Sequence, residues 1–243
     1  MDPAEAGMSL WQWFTDPANW TGENGIPVRT WEQIQISLLA MAIALAISLP
    51  VALVLGHLRK GMFLATNIGN VGRAVPTLGV LTILASIPSI GIGNTAAVLA
   101  LALFAIPPVL TNTYTGVAGV DDEVRDAARG MGMSGLGILS RVEMPLAVPL
   151  IAAGIRTATV QVVATASLAA LVGSGGLGRY VVDGFALQDN TLILAGAILT
   201  AALAVLAELL LSTGQRWVTP RGLRHAGRAE VEIQEIPTAK GVV

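Results

Sequence analysis

The sequence contains no cysteine and only two histidines, His57 and His225. Without thiols, the 243-residue chain can form neither disulfides nor zinc–thiolate sites, and it has no cysteine nucleophile. The two histidines stand far apart in the sequence, and a metal site built on them is not expected. We therefore expect no metal or other cofactor to be bound by this chain.

Charge is also scarce. Charged residues make up 12% of the chain, against about 25% in a typical soluble domain. Hydrophobic residues make up 53%, and the mean hydropathy is +0.69. This composition predicts an integral membrane protein. The net charge of −2 gives no indication of nucleic-acid binding, and no nucleic-acid partner is expected.

Nucleotide-binding motifs are missing or out of context. No G-x-x-x-x-G-K-[ST] pattern occurs, so the chain cannot bind ATP through a P-loop. Residues 173–178, GSGGLG, match G-x-G-x-x-G, but this fingerprint requires a preceding β-strand, and here an apolar membrane segment precedes it. We interpret the glycines as a tight extracytoplasmic turn or a re-entrant loop.

The apolar segments predict an all-α protein with five transmembrane helices. A bilayer core needs roughly 20 apolar residues per helix. No charged residue occurs between residues 74 and 120, and a turn at residues 88–94, PSIGIGN, divides this stretch into two spans. The predicted spans are residues 34–58, 64–87, 95–117, 147–172 and 191–211.

Polar segments flank the transmembrane domain, which we place at residues 31–212. Residues 1–30 are polar and rich in tryptophan, which predicts an extracytoplasmic, interfacial segment. Residues 213–243 form a polar and basic tail. The positive-inside rule orients the chain with its N-terminus outside and its C-terminus in the cytoplasm. Most basic residues outside the spans then face the cytoplasm, among them Arg59, Lys60, Arg125, Arg129, Arg141, Arg216 and Arg221.

Three ionisable residues fall within the predicted spans. They are Arg73, Arg156 and Glu208, each toward the cytoplasmic end of its span. One interpretation is that the arginines snorkel to the headgroups. The other is that they line a translocation path or its inner gate, with Glu208 paired to one arginine. The candidate path residues are Arg73, Pro76, Tyr114, Arg156 and Glu208.

The spans have few carboxylates and few aromatic residues. The first four predicted spans contain no Asp or Glu, which argues against a carrier driven by a proton or sodium gradient. Phe104 and Tyr114 are the clear aromatic residues within the spans. Because a quaternary ammonium group is bound well by a cage of aromatic rings, any selection of such a solute is expected to lie in a partner.

Residues 121–145 form the long polar interruption in this apolar chain. Asp121, Asp122 and Glu123 favour a helix N-terminus. A short helix is predicted over 124–129, with a small-residue face at Ala127 and Ala128 that suits the groove of a partner. We expect Gly130 and Gly132 to end it and Pro145 to stop the segment that follows. The alternative is an ordinary solvated loop between spans.

The spacing within this stretch resembles a known family. Asp126-Ala127-Ala128, then Gly132, then Val142-Glu143-Met144-Pro145 is similar to the EAA loop of binding-protein-dependent ABC importer permeases, with Asp in place of the usual Glu and Met in place of Leu. The resemblance implies a cytoplasmic coupling helix that docks on the ATPase subunit. The residues implied in coupling are Arg125, Asp126, Ala127, Ala128, Arg129, Gly132 and Pro145.

Other segments resemble the osmoprotectant branch of these type I permeases, which imports glycine betaine, choline, carnitine and proline betaine. They are residues 106–117, 128–133, 153–157 and 173–178. The resemblance implies a multi-pass subunit of the bacterial inner membrane, in contact with lipid. It also implies ATP-binding cassette subunits that carry ATP and Mg²⁺, a second permease subunit (a copy or a paralogue) and an extracytoplasmic substrate-binding protein. The alternatives are a permease for another betaine-like or amino-acid-like solute and an ion-coupled secondary carrier.

Overall fold

The computed structural model of the chain describes residues 9–63, 67, 69 and 75–218. The regular structure in this part of the chain is helical. The α-helices are α1 (Leu10–Thr15), α2 (Ile26–His57), α3 (Thr77–Ser86), α4 (Asn94–Ala118), α5 (Asp122–Gly130), α6 (Gly135–Ile138), α7 (Met144–Thr165), α8 (Gly178–Leu187) and α9 (Asn190–Val218). Short 3-10 segments lie at Pro17–Trp20 and Ala166–Val172, and a π-helical turn lies at Leu139–Glu143.

Four helical segments of the described residues are long and apolar enough to cross a membrane. They are Ile26–His57, Asn94–Ala118, Gly135–Val172 and Asn190–Trp217. These segments correspond to the predicted first, third, fourth and fifth spans. Of the predicted second span, residues 64–87, the structure describes α3 as an apolar helix of ten residues. Residues 64–66, 68 and 70–74, including Arg73, lie outside the described residues.

Two of the helix boundaries lie well outside the predicted spans. Helix α2 begins at Ile26, because Pro27 occupies its first turn, where the missing N–H costs no hydrogen bond. Helix α9 continues beyond residue 211 to Val218. Its last turns are held to α7 through Gln215, whose Nε2 donates to Pro149 O at 3.2 Å.

Helix α4 lies at the centre of the bundle and is the most buried of the four long segments. It packs against α2 on one side and α7 on the other. Small residues allow close approach at these crossings. A Cβ atom added at Gly154 of α7 would lie 2.7 Å from Asn112 Cβ and 3.0 Å from Pro108 O of α4. The backbones of α4 and α7 therefore meet closely at Gly154.

The tryptophan side chains of the N-terminal segment are partly exposed and partly buried. Trp11 and Trp20 are exposed. Trp13, in contrast, is buried against Tyr180, with ring centroids 5.5 Å apart in an edge-to-face arrangement. The hydroxyl of Tyr180 donates to Asn24 O at 2.6 Å. These contacts fix α1 to the end of the bundle formed by α8 and α9.

Candidate functional site

Helix α5 corresponds to the short helix predicted in the polar stretch, extended to Asp122–Gly130. Asp121 caps it, since its Oδ1 accepts a hydrogen bond from Glu123 N at 3.0 Å. Asp122 and Glu123 lie in the first turn and Arg129 in the last, the arrangement that the helix dipole favours. The helix ends before Gly132, whose φ of +81° is accessible to glycine at little cost.

The two faces of α5 have different surroundings. Arg125 and Ala128, one turn apart, face the bundle and are 3% and 2% exposed. The opposite face is exposed and carries Val124, Asp126, Ala127 and Arg129. Of the two alanines predicted on a partner-facing surface, only Ala127 is therefore free, while the Ala128 methyl packs within this chain. Met131 and Leu136, 75% and 80% exposed, extend the free surface beyond the helix.

The sequence suggested that Pro145 stops the segment that follows Gly132. This prediction is wrong, because the helical segment continues through Pro145. Pro145 occupies the first turn of α7, where proline is tolerated because its missing N–H needs no partner. The π-helical turn Leu139–Glu143 leads directly into this helix. Before it, Ser134 caps α6, since its Oγ accepts from Gly137 N at 3.3 Å. The polar stretch is thus α5, a glycine turn and α6 with the π turn.

Beneath α5, two buried side chains of opposite charge meet. Arg125 Nε and Glu143 Oε1 lie 3.0 Å apart, as an ionic contact without hydrogen-bond alignment. The other oxygen of Glu143, Oε2, accepts a hydrogen bond from His57 Nδ1 at 2.7 Å. Because a carboxylate only accepts, Nδ1 carries the proton of this bond. We call Arg125, Glu143 and His57 the Arg125 cluster.

Burial and neighbouring charges act on the groups around α5 in opposite directions. Desolvation lowers the pKa of Arg125, and the nearby Glu143 carboxylate opposes this by raising it. At the surface, Arg59 and Asp122 form an ion pair of 2.5 Å. Its hydrogen bond raises the pKa of Arg59 and lowers that of Asp122. Arg59 also donates a hydrogen bond to Val120 O at 2.6 Å. It therefore links the segment just after α2 to the start of the polar stretch.

Sequence reasoning assigned no role to His57 or Glu143. The sequence carries only weak indications of a role for these two residues. His57 closes the first apolar run just before Arg59, and Glu143 lies within the quoted Val-Glu-Met-Pro motif. Neither position reveals that the two side chains meet, because the sequence separates them by 86 residues.

The structure brings together only two of the candidate path residues that it describes. Arg156 Nε lies 3.4 Å from Glu208 Oε1, so the pairing considered from the sequence is present. Arg156 Nη1 also donates to Gln215 Oε1 at 2.9 Å. Tyr114 is 6% exposed and packs with Ala52 and Leu110, and Pro76 is an exposed residue at the start of α3.

The glycine-rich segment lies at the opposite end of the bundle from α5. Gly173 ends the 3-10 segment Ala166–Val172 with a left-handed backbone, as expected for a turn. Two side chains at the start of α2 hold the turn. Glu32 Oε2 accepts from Gly176 N at 2.8 Å, and Gln33 Oε1 accepts from Leu177 N at 2.9 Å. Ser174 Oγ donates to Asn94 Oδ1 at 2.6 Å, which adds the start of α4.

Comparison with known proteins identifies the family. Residues 42–223 match the family described as "Binding-protein-dependent transport system inner membrane component". The chain is 36% identical over 196 residues to the glycine betaine/carnitine/choline transport system permease protein OpuCB of Bacillus subtilis (strain 168), covering 81% of this chain and 89% of the relative. It is 37% identical over 206 residues to the carnitine transport permease protein OpuCB of Listeria monocytogenes, covering 84% and 94%.

A third relative agrees with this assignment, and a solved structure has the same fold. The osmoprotectant import permease protein OsmW of Salmonella typhimurium is 32% identical over 210 residues, covering 80% of this chain and 92% of the relative. The fold resembles that of the MetNI methionine ABC transporter in an inward-facing conformation, with a TM-score of 0.71 and 22% identity over 85% of this chain and all of that one. The chain therefore belongs to the family of binding-protein-dependent transport system inner membrane components, the permease subunits of ABC importers.

Proposed function

We propose that this chain is the permease subunit of an ATP-driven importer for a small osmoprotectant of the glycine betaine, carnitine or choline type. The observation that carries the proposal is the identity of 36% and 37%, over most of both chains, to permeases named for these solutes in Bacillus subtilis and Listeria monocytogenes. The permease from Salmonella typhimurium, named for osmoprotectant import, supports the same class.

The proposed membrane topology has five spans. The four long segments supply the first, third, fourth and fifth, and α3 belongs to the second, residues 64–87. The N-terminus lies outside and the C-terminus in the cytoplasm. Basic residues support this orientation, since Arg59, Arg125, Arg129 and Arg141 lie at or near the end of the bundle that carries α5.

In this orientation, α5 is the cytoplasmic coupling helix and docks on an ATP-binding cassette subunit. Its free surface supports a protein contact, because Val124 and Met131 expose apolar side chains in a polar segment between two of the long apolar helices. Asp126 and Arg129, which form an exposed ion pair of 2.8 Å, supply a polar rim. Gly132 and Ala127 allow the partner to approach the backbone. ATP and Mg²⁺ are held by that subunit.

Import then proceeds by alternating access. ATP draws the two ATPase subunits together, the docked coupling helices follow, and the spans of the two permease subunits open toward a loaded binding protein. Solute selection lies in the binding protein, because Tyr114 is buried among aliphatic side chains and forms no aromatic cage in the described residues. The ion pair Arg156–Glu208 links α7 to α9 and is the candidate for an inner gate.

Uptake measurements test the proposal. The chain is produced together with a candidate ATPase and a candidate binding protein in cells that lack other betaine transporters. We expect a P-loop ATPase to co-purify with the chain, and uptake of radiolabelled glycine betaine, carnitine or choline to require an ATPase able to hydrolyse ATP. Uptake that survives inactivation of the ATPase but stops on collapse of ion gradients would instead indicate a secondary carrier. Unlabelled competitors identify any other betaine-like or amino-acid-like solute.

A further inference from the structure

The Arg125 cluster joins three separate parts of the chain. His57 is the last residue of α2, Arg125 lies in α5, and Glu143 directly precedes α7. The side chains of Arg125 and Glu143 are 3% and 1% exposed. His57 is 25% exposed and lies at the edge of the cluster. The cluster is therefore an internal contact beneath α5 and not part of its free surface.

The guanidinium of Arg125 also reaches the ends of two membrane helices. Its Nη2 donates to Val117 O, in the last turn of α4, at 2.8 Å. Its Nη1 donates to His57 O, at the end of α2, at 3.5 Å. Carbonyls at a helix C-terminus lack partners within the helix and carry partial negative charge, so they are good acceptors for a cation. One side chain of α5 thus contacts the ends of α2 and α4 and the carboxylate that precedes α7.

Stability alone is a weak reason for such a cluster. Burying a charged pair carries a large desolvation cost, and well-packed apolar side chains of similar volume often stabilise a protein as well or better. A guanidinium with several fixed acceptors does something that apolar packing does not, because it holds its neighbours at defined angles and distances. The geometry therefore favours a mechanical role over a purely stabilising one.

We propose that Arg125, held by Glu143 and His57, is the positioning residue that transmits displacement of α5 to α2, α4 and α7. This inference rests on the proposed function, in which α5 moves with the ATPase. Because Arg125 faces the bundle and Val124 and Ala127 face outward, a force applied to the free surface passes through the Arg125 contacts to the helix ends. Without those contacts, α5 can follow the ATPase while the membrane helices stay behind.

The test measures solute uptake per ATP hydrolysed. Complexes of permease, ATPase and binding protein are reconstituted in proteoliposomes, with glycine betaine as the probe. Arg125→Lys replaces the planar fork with a single ammonium, and Glu143→Gln removes the negative charge at nearly constant shape. We expect both variants to assemble and hydrolyse ATP, with uptake per ATP reduced between about twofold and about thirtyfold. Arg179→Lys, the same change in the partly exposed pair with Asp183 at the far end of the bundle, leaves the ratio unchanged.

A second pair of variants covers the case in which Arg125→Lys and Glu143→Gln fail to assemble. His57→Asn keeps a donor near the position of Nδ1, whereas His57→Leu leaves Glu143 Oε2 without this bond. We expect His57→Asn to retain the uptake ratio and His57→Leu to lower it. Equal ratios in these two variants, or loss of assembly in every cluster variant, would assign the cluster to folding and overturn the proposal.

The wild-type complex separates this inference from the proposed function. If the wild type takes up none of glycine betaine, carnitine and choline, the proposed function is wrong, and this is seen before any variant is compared. If the wild type transports and the Arg125 and Glu143 variants transport equally well per ATP, only the role of the Arg125 cluster is wrong.

Discussion

Gln33 and Leu177 are joined across 144 residues of sequence, because Gln33 Oε1 accepts the backbone N–H of Leu177 at 2.9 Å. The amide group of Gln33 also donates, from Nε2 to Val163 O of α7 at 3.0 Å. Gln33 is fully buried. One side chain at the start of α2 therefore fixes the glycine-rich turn to α7 at the end of the bundle opposite α5.

Gln33→Leu is expected to destabilise the protein. The change leaves two buried backbone groups unpaired, and each such group costs about 1–3 kcal/mol. The midpoint of thermal unfolding in detergent should therefore fall clearly below that of the wild type. Gln35→Leu, the same change at an exposed position of the same helix, is the control and should leave the midpoint unchanged. Equal midpoints for the two variants would contradict the role of Gln33.

Gly178→Ala is expected to disrupt the glycine-rich turn. A Cβ atom at residue 178 would lie 1.9 Å from the carbonyl oxygen of Ser167, a backbone atom that cannot move without displacing the 3-10 segment. Overpacking of this kind costs about 1–3 kcal/mol. In contrast, Gly214→Ala meets no atom within 4 Å and lies in α9, so it should raise helix stability by up to about 1 kcal/mol. The same unfolding assay compares the two, and a stabilising effect of Gly178→Ala would refute the packing argument.

Gly132→Asp should abolish uptake and substrate-stimulated ATP hydrolysis while the chain still inserts in the membrane. The added side chain meets no atom of this chain within 4 Å, but the φ of +81° disfavours it. A carboxylate buried at the proposed ATPase contact costs on the order of several kcal/mol. Membrane fractionation, uptake and ATPase assays provide the measurement.

Ser134→Asp is the control for Gly132→Asp. Ser134 caps α6, and aspartate is an equally good cap, so this variant should retain uptake. Normal uptake by Gly132→Asp at normal expression would mean that residues 121–145 are only a loop. Ala128→Glu is less informative about docking, because the Ala128 side chain is buried and its replacement would disturb the fold of the chain itself.

Reporter fusions test the proposed orientation. A phosphatase fused after Gly184, in α8, should be active, because the proposed topology puts this end of the bundle outside the cell. A fusion after Gly135, at the start of α6, should be inactive, because the proposed topology puts that end in the cytoplasm. The reverse pattern would overturn the topology and the coupling role of α5 with it.

Phe104→Leu and Tyr114→Leu should leave solute specificity unchanged. Tyr114 packs among aliphatic side chains, and Phe104 lines a cavity of about 210 Å³ with Thr77 and with apolar residues that include Val75 and Leu103. Tyr114→Leu is expected to affect stability more than recognition. Competition for uptake by unlabelled betaines measures specificity. A changed order of competitors, with unchanged affinities of the binding protein, would require a solute site in this chain.

The sequence by itself determined the helical, membrane-spanning character of the chain, the turn at residues 88–94, the short helix now labelled α5 and the glycine turn. Each depends on hydropathy, capping residues or backbone preference within one short segment, and these properties act locally. The same locality explains the error at the end of α9. Its last turns, up to Val218, are held by Gln215, which contacts Pro149 in a distant part of the chain.

Only the tertiary structure decided which face of α5 is buried. Ala127 and Ala128 are neighbours of equal size that point about 100° apart on the helix, and their sequence does not indicate which of them faces the bundle. Helix packing selects Ala128 and, one turn before it, Arg125. For the same reason, the sequence could not reveal the contacts of Glu143 with Arg125 and His57, because the pairing of buried charges depends on how separate helices meet.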